Sequence, residues 1–309
     1  MRIVFLGTPD VAVPSLQAFL DAPDVEVAAV ITNPDRPRGR SKTPVAPPVK
    51  DAAVAAAVPV WQPERPREVL DDLRALDVDA CAVVAYGALL PSDVLAAGGA
   101  GFVNLHFSLL PRWRGAAPVQ HAIRAGDEDT GISTFVLDEG MDTGPLLDQV
   151  RVPIDPSETS GELLDRLAVL GAPVLLDSIR RLVGGESPRP QPEDGGTLAP
   201  KILPDDVRID FAAPARTVVD LIRSANPAPG AHTTWGGGRF KIHRASVVAA
   251  DDVPTAGPGT LDVVEGVPQV WCGDGRIALD VVQPPGKGRM DAAAWANGAR
   301  PEPGTRFGA

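Results

Sequence analysis

Three polar residues of this chain, Asn104, His106 and Asp142, have the side chains that acyl transfer requires. Asn104 and His106 belong to the stretch Asn-Leu-His-Phe-Ser-Leu-Leu-Pro, and Asp142 lies in the turn Gly-Met-Asp-Thr-Gly. Together they supply an amide, an imidazole and a carboxylate that is a candidate for orienting the imidazole. The chemistry that they indicate is acyl transfer without a cysteine nucleophile and without a metal ion.

The predicted strands bring these side chains to one edge of a sheet. Asn104 and His106 are two residues apart at a strand end, so their side chains project to the same face and can converge on one ligand atom. Asp142 lies just past another apolar run. Because ligands of open α/β sheets bind outside the carboxyl ends of the strands, we expect a ligand site here. The simpler alternatives are a packed histidine and an aspartate that only forms a turn.

Ser108 lies two residues after His106 and raises the alternative of a serine hydrolase. The sequence has no GxSxG nucleophile elbow, which disfavours that alternative. The segment is better suited to presenting backbone groups to a flat ligand, and its residues are Ser108, Leu109, Leu110 and Pro111.

Two further turns follow predicted strands. Tyr86 comes directly after the apolar run 80–85 and is a candidate for lining a pocket, with core packing as the alternative. The turn Gly7-Thr8-Pro9-Asp10 lacks the later glycines of a dinucleotide fingerprint. It therefore indicates a tight turn between strand and helix rather than nicotinamide binding.

Apolar runs alternate with helical patterns through the first half of the chain. The runs cover residues 3–6, 25–31, 80–85, 102–105 and 133–137, and the helical patterns cover 14–20, 49–57, 66–73 and 116–124. This alternation is typical of βαβ units. It predicts a doubly wound, mostly parallel α/β sheet.

The second half has a different composition. A capping box at 159–162 predicts a helix that continues toward Arg181 and ends at Gly184-Gly185. A Pro/Gly-rich stretch follows, then a helical pattern at 215–224 and four short apolar runs that predict a small β-barrel. We therefore predict a catalytic domain over 1–185, a linker over 186–204 and a barrel domain over 205–309.

The net charge of −11 by itself disfavours nucleic-acid binding. Two stretches are nevertheless basic: residues 32–50 hold five bases and one acid, and residues 201–244 hold seven bases and four acids. Because solvated loops are often charged, these basic stretches alone do not establish an RNA partner.

Cysteine content and hydropathy exclude several classes of protein. The two cysteines, Cys81 and Cys272, form no CxxC motif, so we expect neither structural zinc nor a disulfide framework. No apolar run suits a signal peptide or a membrane span. We expect a cytoplasmic protein with no metal cofactor.

Several motifs taken together resemble those of the methionyl-tRNA formyltransferases. They run from the amino terminus to the predicted domain junction and comprise Gly7–Asp10, Pro34–Arg40, Ala85–Gly87, Asn104–Gln120, Met141–Gly144 and Ala199–Ile202. The segment around His106 and the distant Asp-Thr-Gly are shared with folate-dependent formyltransferases in general. Val11, Phe107 and His121 depart from the usual residues of the family, and of these only Phe107 bears on the folate pocket.

The resemblance implies a Rossmann-like formyltransferase domain followed by an OB-like β-barrel domain. The expected reaction transfers a formyl group from 10-formyltetrahydrofolate to the α-amine of methionyl initiator tRNA, so the substrate supplies the nucleophile. Asn104 and His106 would stabilise the oxyanion, and Asp142 would fix the imidazole tautomer and assist removal of the amine proton.

The resemblance also implies binding residues. The pteridine would be held by backbone groups of residues 108–111 with Tyr86 nearby. The expected tRNA contacts are Arg36, Arg40, Lys42 and Lys201. We expect a monomer.

Three rival functions stay open at this stage. A formyltransferase for a nucleotide sugar or a small ribonucleotide amine would use the same residues. A hydrolase would deliver water with the same triad and release formate. A non-catalytic RNA-binding module is suggested by the basic stretches but not by the convergent polar triad.

Overall fold

The computed structural model describes residues 1–37, 43–248, 256–302 and 304–308, and it divides into two compact units. The first unit comprises Met1–Gly115, Thr130–Val152 and Leu164–Leu198. The second comprises Ala116–Asp129, Pro153–Leu163 and Ala199–Ala309. The domain boundaries predicted at 185 and 205 stay a prediction, and these units differ from them because two internal segments cluster with the carboxyl-terminal residues.

Most strands of the described residues coincide with the predicted apolar runs. In chain order the strands are β1 (Arg2–Gly7), β2 (Glu26–Ile31), β3 (Arg36–Pro37), β4 (Pro44–Val45), β5 (Val60–Trp61), β6 (Ala80–Val84), β7 (Phe102–His106), β8 (Asp129–Val136), β9 (Leu146–Pro153), β10 (His232–Trp235), β11 (Gly238–Val248), β12 (Leu261–Val264), β13 (Val267–Trp271), β14 (Arg276–Gln283) and β15 (Met290–Asp291).

The helices likewise follow the predicted patterns, with α4 and α8 as additions. They are α1 (Val13–Leu20), α2 (Pro48–Ala55), α3 (Leu70–Ala75), α4 (Ser92–Leu95), α5 (Pro118–Arg124), α6 (Ser160–Val183), α7 (Ala215–Ser224) and α8 (Ala292–Ala299). Short 3₁₀ turns occupy Asp10–Ala12, Pro66–Val69 and Pro204–Val207.

The first unit is organised around a seven-stranded sheet in the order β5-β2-β1-β6-β7-β8-β9. Strand β1 pairs in parallel with β2 and β6, β6 pairs in parallel with β7, and β7 pairs antiparallel with β8. Ile3, Val4 and Phe5 on β1 are fully buried, as expected for a central parallel strand. The predicted mostly parallel α/β sheet is confirmed.

Helix α6 begins at the predicted capping box. The Glu162 carboxylate accepts hydrogen bonds from the Thr159 backbone N–H at 2.8 Å and from its hydroxyl at 2.9 Å. The helix continues through Pro173 and ends at Val183, directly before Gly184. At Gly171 it approaches β7 so closely that a Cβ atom would lie 2.7 Å from a methyl carbon of Leu105. Gly171 therefore allows this helix to pack against the strand that carries Asn104 and His106.

The second unit contains an antiparallel sheet in the order β10-β11-β14-β13-β12, with β15 paired to β14. The sheet curls into a half-barrel, which bears out the predicted carboxyl-terminal OB-like β-barrel domain. Its core includes aromatic rings from both strands and helix. Phe240 lies 4.8 Å from Trp295 and 5.0 Å from Phe307, measured between ring centroids. Buried aromatic area of this kind is a large stabilising contribution to a small unit.

Candidate active site

Strand β7 places Asn104 and His106 on the same face of the first unit's sheet. Asn104 is opposite Phe135 of β8, and the Phe135 ring meets the His106 ring edge-on with centroids 6.4 Å apart. His106 is only 6% exposed, whereas Asn104 is half-buried. Among the described residues, no protein group is hydrogen-bonded to the Asn104 side-chain amide. The strand thus presents a partnerless amide beside a buried imidazole.

His106 is held by a backbone carbonyl group and faces the Asp142 carboxylate. Its Nε2 lies 2.8 Å from the Trp113 carbonyl oxygen, and its Nδ1 lies 3.8 Å from Asp142 Oδ2. Because a carbonyl oxygen only accepts, Nε2 carries a hydrogen and donates to it. In the neutral ring, Nδ1 then has a free lone pair directed toward the carboxylate.

Burial keeps His106 neutral near pH 7. It lowers the pKa of the imidazole below its ordinary value of 6.5, and the Asp142 carboxylate and the Trp113 carbonyl oppose that shift only in part. The separation of 3.8 Å between Nδ1 and Oδ2 agrees with two acceptors that face each other. The tautomer of His106 is therefore fixed by Trp113, where the sequence predicted Asp142 for this role.

Asp142 is fixed by the loop between β8 and β9. Its Oδ2 accepts a hydrogen bond of 2.7 Å from the Gly115 backbone N–H, and its φ angle of 53° lies in the left-handed region. The Asp138 carboxylate closes the loop by accepting from the Gly140 N–H and the Thr143 hydroxyl. A Cβ atom at Gly144 would overlap the Val136 carbonyl oxygen, so only glycine fits there.

Sequence reasoning missed a second group of residues at this site. Gln191 donates from its amide nitrogen to the Asp142 and Gly144 carbonyl oxygens, at 2.8 and 2.9 Å. Thr197 accepts from the Trp113 N–H at 2.9 Å. Both lie in the Pro/Gly-rich stretch 186–204, whose composition is typical of a linker. The sequence contains no signal for these contacts because they go to backbone atoms.

The segment Ser108–Pro111 is hydrogen-bonded to other residues of the first unit. The Ser108 hydroxyl donates to the Arg112 carbonyl at 2.6 Å and is fully buried, which leaves it poorly placed as a nucleophile. Ser133 accepts from the Leu110 N–H and donates to the Ser108 carbonyl. Gln149 donates to the Leu110 carbonyl at 2.8 Å. Much of the backbone expected to meet a ligand is thus already bonded within the unit.

Tyr86 lies in the core of the first unit. Its side chain is 3% exposed and packs with apolar residues of β1, β2 and β7, and burial raises the pKa of its hydroxyl. Its carbonyl oxygen accepts hydrogen bonds from the Thr8 hydroxyl at 3.0 Å and from the Asn33 amide at 2.9 Å. The structure therefore favours the core-packing alternative for the Tyr86 ring.

The predicted tRNA-binding residues lie in different parts of the chain. Arg36 is exposed on β3 in the first unit, 4.0 Å from the Glu64 carboxylate. Lys201 is exposed in the second unit. Arg40 and Lys42 fall outside the described residues.

The described residues contain neither a metal-binding cluster nor a membrane-spanning helix. No group of three or more His, Cys, Asp or Glu side chains in them could hold a metal ion. None of the helices within the described ranges is long and apolar enough to cross a membrane.

Comparison with known proteins identifies the family. The family model described as "Formyl transferase" matches residues 1–179, and "Formyl transferase, C-terminal domain" matches residues 201–300. The methionyl-tRNA formyltransferase of Streptomyces coelicolor is 48% identical over 100% of both chains. That of Thermobifida fusca is 49% identical over 100% of this chain and 99% of its own. The chain belongs to the methionyl-tRNA formyltransferase family. It is therefore a formyl-transferring enzyme.

Solved structures of low identity share the fold. The methionyl-tRNA formyltransferase of Clostridium thermocellum is 18% identical, with a TM-score of 0.59 over 80% of this chain and 94% of its own. An N-formyltransferase from Helicobacter canadensis, solved with folinic acid and dTDP-3-aminofucose, is 18% identical with a TM-score of 0.69 over 90% of this chain and 98% of its own.

Proposed function

We propose that this protein transfers the formyl group of 10-formyltetrahydrofolate to the α-amine of methionyl initiator tRNA. The observation that carries the proposal is the arrangement of Asn104, His106 and Asp142 in a chain 48% identical, over its whole length, to a methionyl-tRNA formyltransferase. The amide, the neutral imidazole and the carboxylate suit attack by an amine on a formyl carbon, which needs no enzyme nucleophile.

The residues present fit a formyl donor. The half-buried Asn104 amide, which no described protein group satisfies, is a donor for an acyl oxygen. When bound, 10-formyltetrahydrofolate supplies an electrophilic carbon at the oxidation level of formate. We assign to Asn104 the stabilisation of the negative charge that develops on the formyl oxygen, a role worth about 2.7 to 4 kcal/mol for one donor.

We assign the proton transfer to His106, in place of the oxyanion stabilisation that the resemblance implies, because Nε2–H of the neutral ring already donates to the Trp113 carbonyl and Nδ1 carries no hydrogen. The new bond joins the amine nitrogen to the formyl carbon, and the bond that breaks joins that carbon to the folate nitrogen, which leaves with the proton that the His106 imidazolium gives back. The amine proton is accepted at His106 Nδ1, whose lone pair is free because Nε2 donates to Trp113. Asp142, 3.8 Å from Nδ1, stabilises the imidazolium that results.

Other residues are assigned to binding the folate and the tRNA. Residues 108–111 would contact the pteridine through their side chains and the second lone pairs of their carbonyl oxygens, because many backbone groups are already bonded. A contact from Tyr86 would involve its backbone more readily than its buried ring. We propose tRNA phosphate contacts for Arg36, Arg40, Lys42 and Lys201, and we propose a cytoplasmic monomer.

The decisive experiment offers one formyl donor to several acceptors. The purified chain is incubated with folate radiolabelled in the formyl group and with methionylated initiator tRNA, methionylated elongator tRNA, an amino-sugar nucleotide or a small ribonucleotide amine. We expect transfer to the initiator form. Preferred transfer to a small amine would replace the substrate assignment, and formate release without any acceptor would indicate a hydrolase.

A further inference from the structure

Residues 189–198 form a strap along the candidate active site. At one end, Arg189 exchanges two backbone hydrogen bonds with Leu146, at 2.7 and 2.8 Å. At the other end, the Arg114 N–H donates to the Thr197 carbonyl at 2.8 Å, and the Trp113 N–H donates to the Thr197 hydroxyl. The strap lies between the stretches matched by the two family models, 1–179 and 201–300.

Within this strap, the Gln191 side chain uses its full hydrogen-bonding capacity. Its two N–H groups donate to the carbonyl oxygens of Asp142 and Gly144, at 2.8 and 2.9 Å. Its Oε1 accepts from Arg114 Nε at 3.2 Å and from Arg114 Nη2 at 2.6 Å. An amide has two donors and two acceptor lone pairs, so no capacity is left over.

These bonds connect the segment Trp113–Gly115, which is hydrogen-bonded to His106 and Asp142, with the loop that contains Asp142. Arg114 lies between Trp113, whose carbonyl accepts from His106, and Gly115, whose N–H donates to Asp142 Oδ2. Gln191 connects Arg114 to the backbone of Asp142 itself. Asp142 adopts a left-handed φ of 53°, a conformation that costs energy in a non-glycine residue unless its surroundings fix it.

We propose that Gln191 is a positioning residue that, through Arg114 and the Asp142 backbone, sets the distance between the Asp142 carboxylate and His106 Nδ1. The inference rests on the proposed function, in which Asp142 stabilises the His106 imidazolium. Gln191 touches no reacting atom. Both of its routes end at Asp142, one through the Asp142 backbone and one through Arg114 and the adjoining Gly115 N–H.

The test compares Gln191→Met, which keeps the size of the side chain but removes all four bonds, with Gln191→Glu, which keeps the Arg114 bonds but has no donor for the two carbonyls. We expect both to lower kcat, by about 100-fold for Gln191→Met, because displacement of a catalytic group by about 1 Å costs that much. KM for the folate and the tRNA should change less than about threefold. Glu193→Gln, an exposed position in the same strap, is the matched control and should leave kcat unchanged.

A double-mutant cycle separates positioning from a general structural role. If Gln191 acts through Asp142, then Gln191→Met should have little further effect on kcat in an Asp142→Asn background. A loss as large as in the wild-type background would overturn the proposal. So would a Gln191→Met enzyme with near-normal kcat. If Gln191→Met does not fold, Gln191→Glu serves in the same cycle.

A substrate-independent readout keeps this inference separate from the proposed function. Burial lowers the pKa of the His106 imidazole, and the electrostatic attraction of the Asp142 carboxylate raises it. If the Asp142 carboxylate moves away from His106 in Gln191→Met, the His106 titration should shift to lower pH. NMR with labelled histidine measures this shift. An unmoved titration would sink the positioning role. If the wild-type chain forms no formylmethionyl-tRNA, the proposed function fails while this measurement still decides the role of Gln191.

Discussion

We propose that His106 is the proton acceptor, and its neighbours define which ring nitrogen accepts. The Trp113 carbonyl holds the hydrogen on Nε2, burial lowers the pKa, and the free Nδ1 faces the one carboxylate that raises it. Once Nδ1 accepts a proton, repulsion between two acceptors becomes attraction between imidazolium and carboxylate. The interaction is therefore stronger after proton transfer than before it, which is the condition for a contribution to catalysis.

Asn104→Ala tests the assignment of the formyl oxygen to the Asn104 amide. We expect kcat to fall about 100- to 1,000-fold with little change in folate affinity, because the donor acts mainly on charge that develops during the reaction. Turnover and equilibrium folate binding are measured side by side, with Asn297→Ala, an exposed asparagine of α8, as the matched control. Folate affinity that fell in parallel with turnover would assign Asn104 to binding instead.

Ser108→Ala separates a structural hydroxyl from a nucleophile. The Ser108 hydroxyl is buried and donates to the Arg112 carbonyl, so its loss should lower the free energy of unfolding by about 1 to 3 kcal/mol. We expect kcat to stay within about threefold of the wild-type value below the unfolding transition. Urea denaturation and the formylation assay provide the two numbers. Loss of all turnover in a folded variant would restore the serine-hydrolase alternative.

At the scale of residues, the sequence contained the side chains of the site but not their backbone partners. Asn104 and His106 could be paired because strand residues two apart share a face. The Trp113 carbonyl and the Gly115 N–H carry no residue-type signal, since every residue except proline has both groups. Gln191 was not predictable for the same reason, because it binds main-chain atoms from a stretch that reads as a linker.

At the scale of elements, α6 packs closely against β7, the strand that carries Asn104 and His106. Leu105 points to the opposite face from Asn104 and His106, toward the helix position at Gly171. The helix itself was predictable from its capping box and apolar spacing. Its close approach at one glycine was not, because the partner strand lies more than sixty residues earlier in the chain.

Gly171→Val should weaken both packing and turnover. The added atoms would press on the buried Leu105 side chain, and overpacking of this kind costs about 1 to 3 kcal/mol of unfolding free energy. Because Leu105 lies between Asn104 and His106, we also expect kcat to fall below the unfolding transition. The control is Gly298→Val in α8, where a Cβ atom meets nothing within 4 Å. Equal effects at the two glycines would show that helix propensity, not the contact with β7, explains the loss.

Helix α8 is an example of an element that local sequence patterns can predict. Its amino terminus has Asp291 as a cap that accepts from the Ala294 N–H at 2.8 Å, followed by an alanine-rich segment. An aspartate followed by good helix formers is a recognised signal for the start of a helix, so α8 could have been predicted from the sequence. The two-residue strands β3, β4, β5 and β15 were not, because so short a run has no periodicity.

At the scale of the whole molecule, composition predicts a linker over 186–204, and that boundary stays a prediction. The two compact units of the structure meet at Leu198 and Ala199 and are not continuous in sequence. The second unit also includes Ala116–Asp129 and Pro153–Leu163, and α5 packs there against α7. Such long-range association depends on contacts between distant residues, which neither composition nor local periodicity records.

Each unit contains one buried thiol, so cysteine labelling can follow the two units separately. Cys81 on β6 and Cys272 are 0% and 1% exposed, and burial raises the pKa of each thiol to about 12. The thiolate is the reactive form, so we expect a small thiol reagent to leave both unlabelled in the native protein and to label each as its unit opens in urea. Peptide mass spectrometry identifies which thiol reacts.

Because the proposed pteridine contacts at 108–111 belong to the first unit, folate at about 100 times its Kd should slow Cys81 labelling about 100-fold. Protection of Cys272 without protection of Cys81 would contradict that placement of the folate.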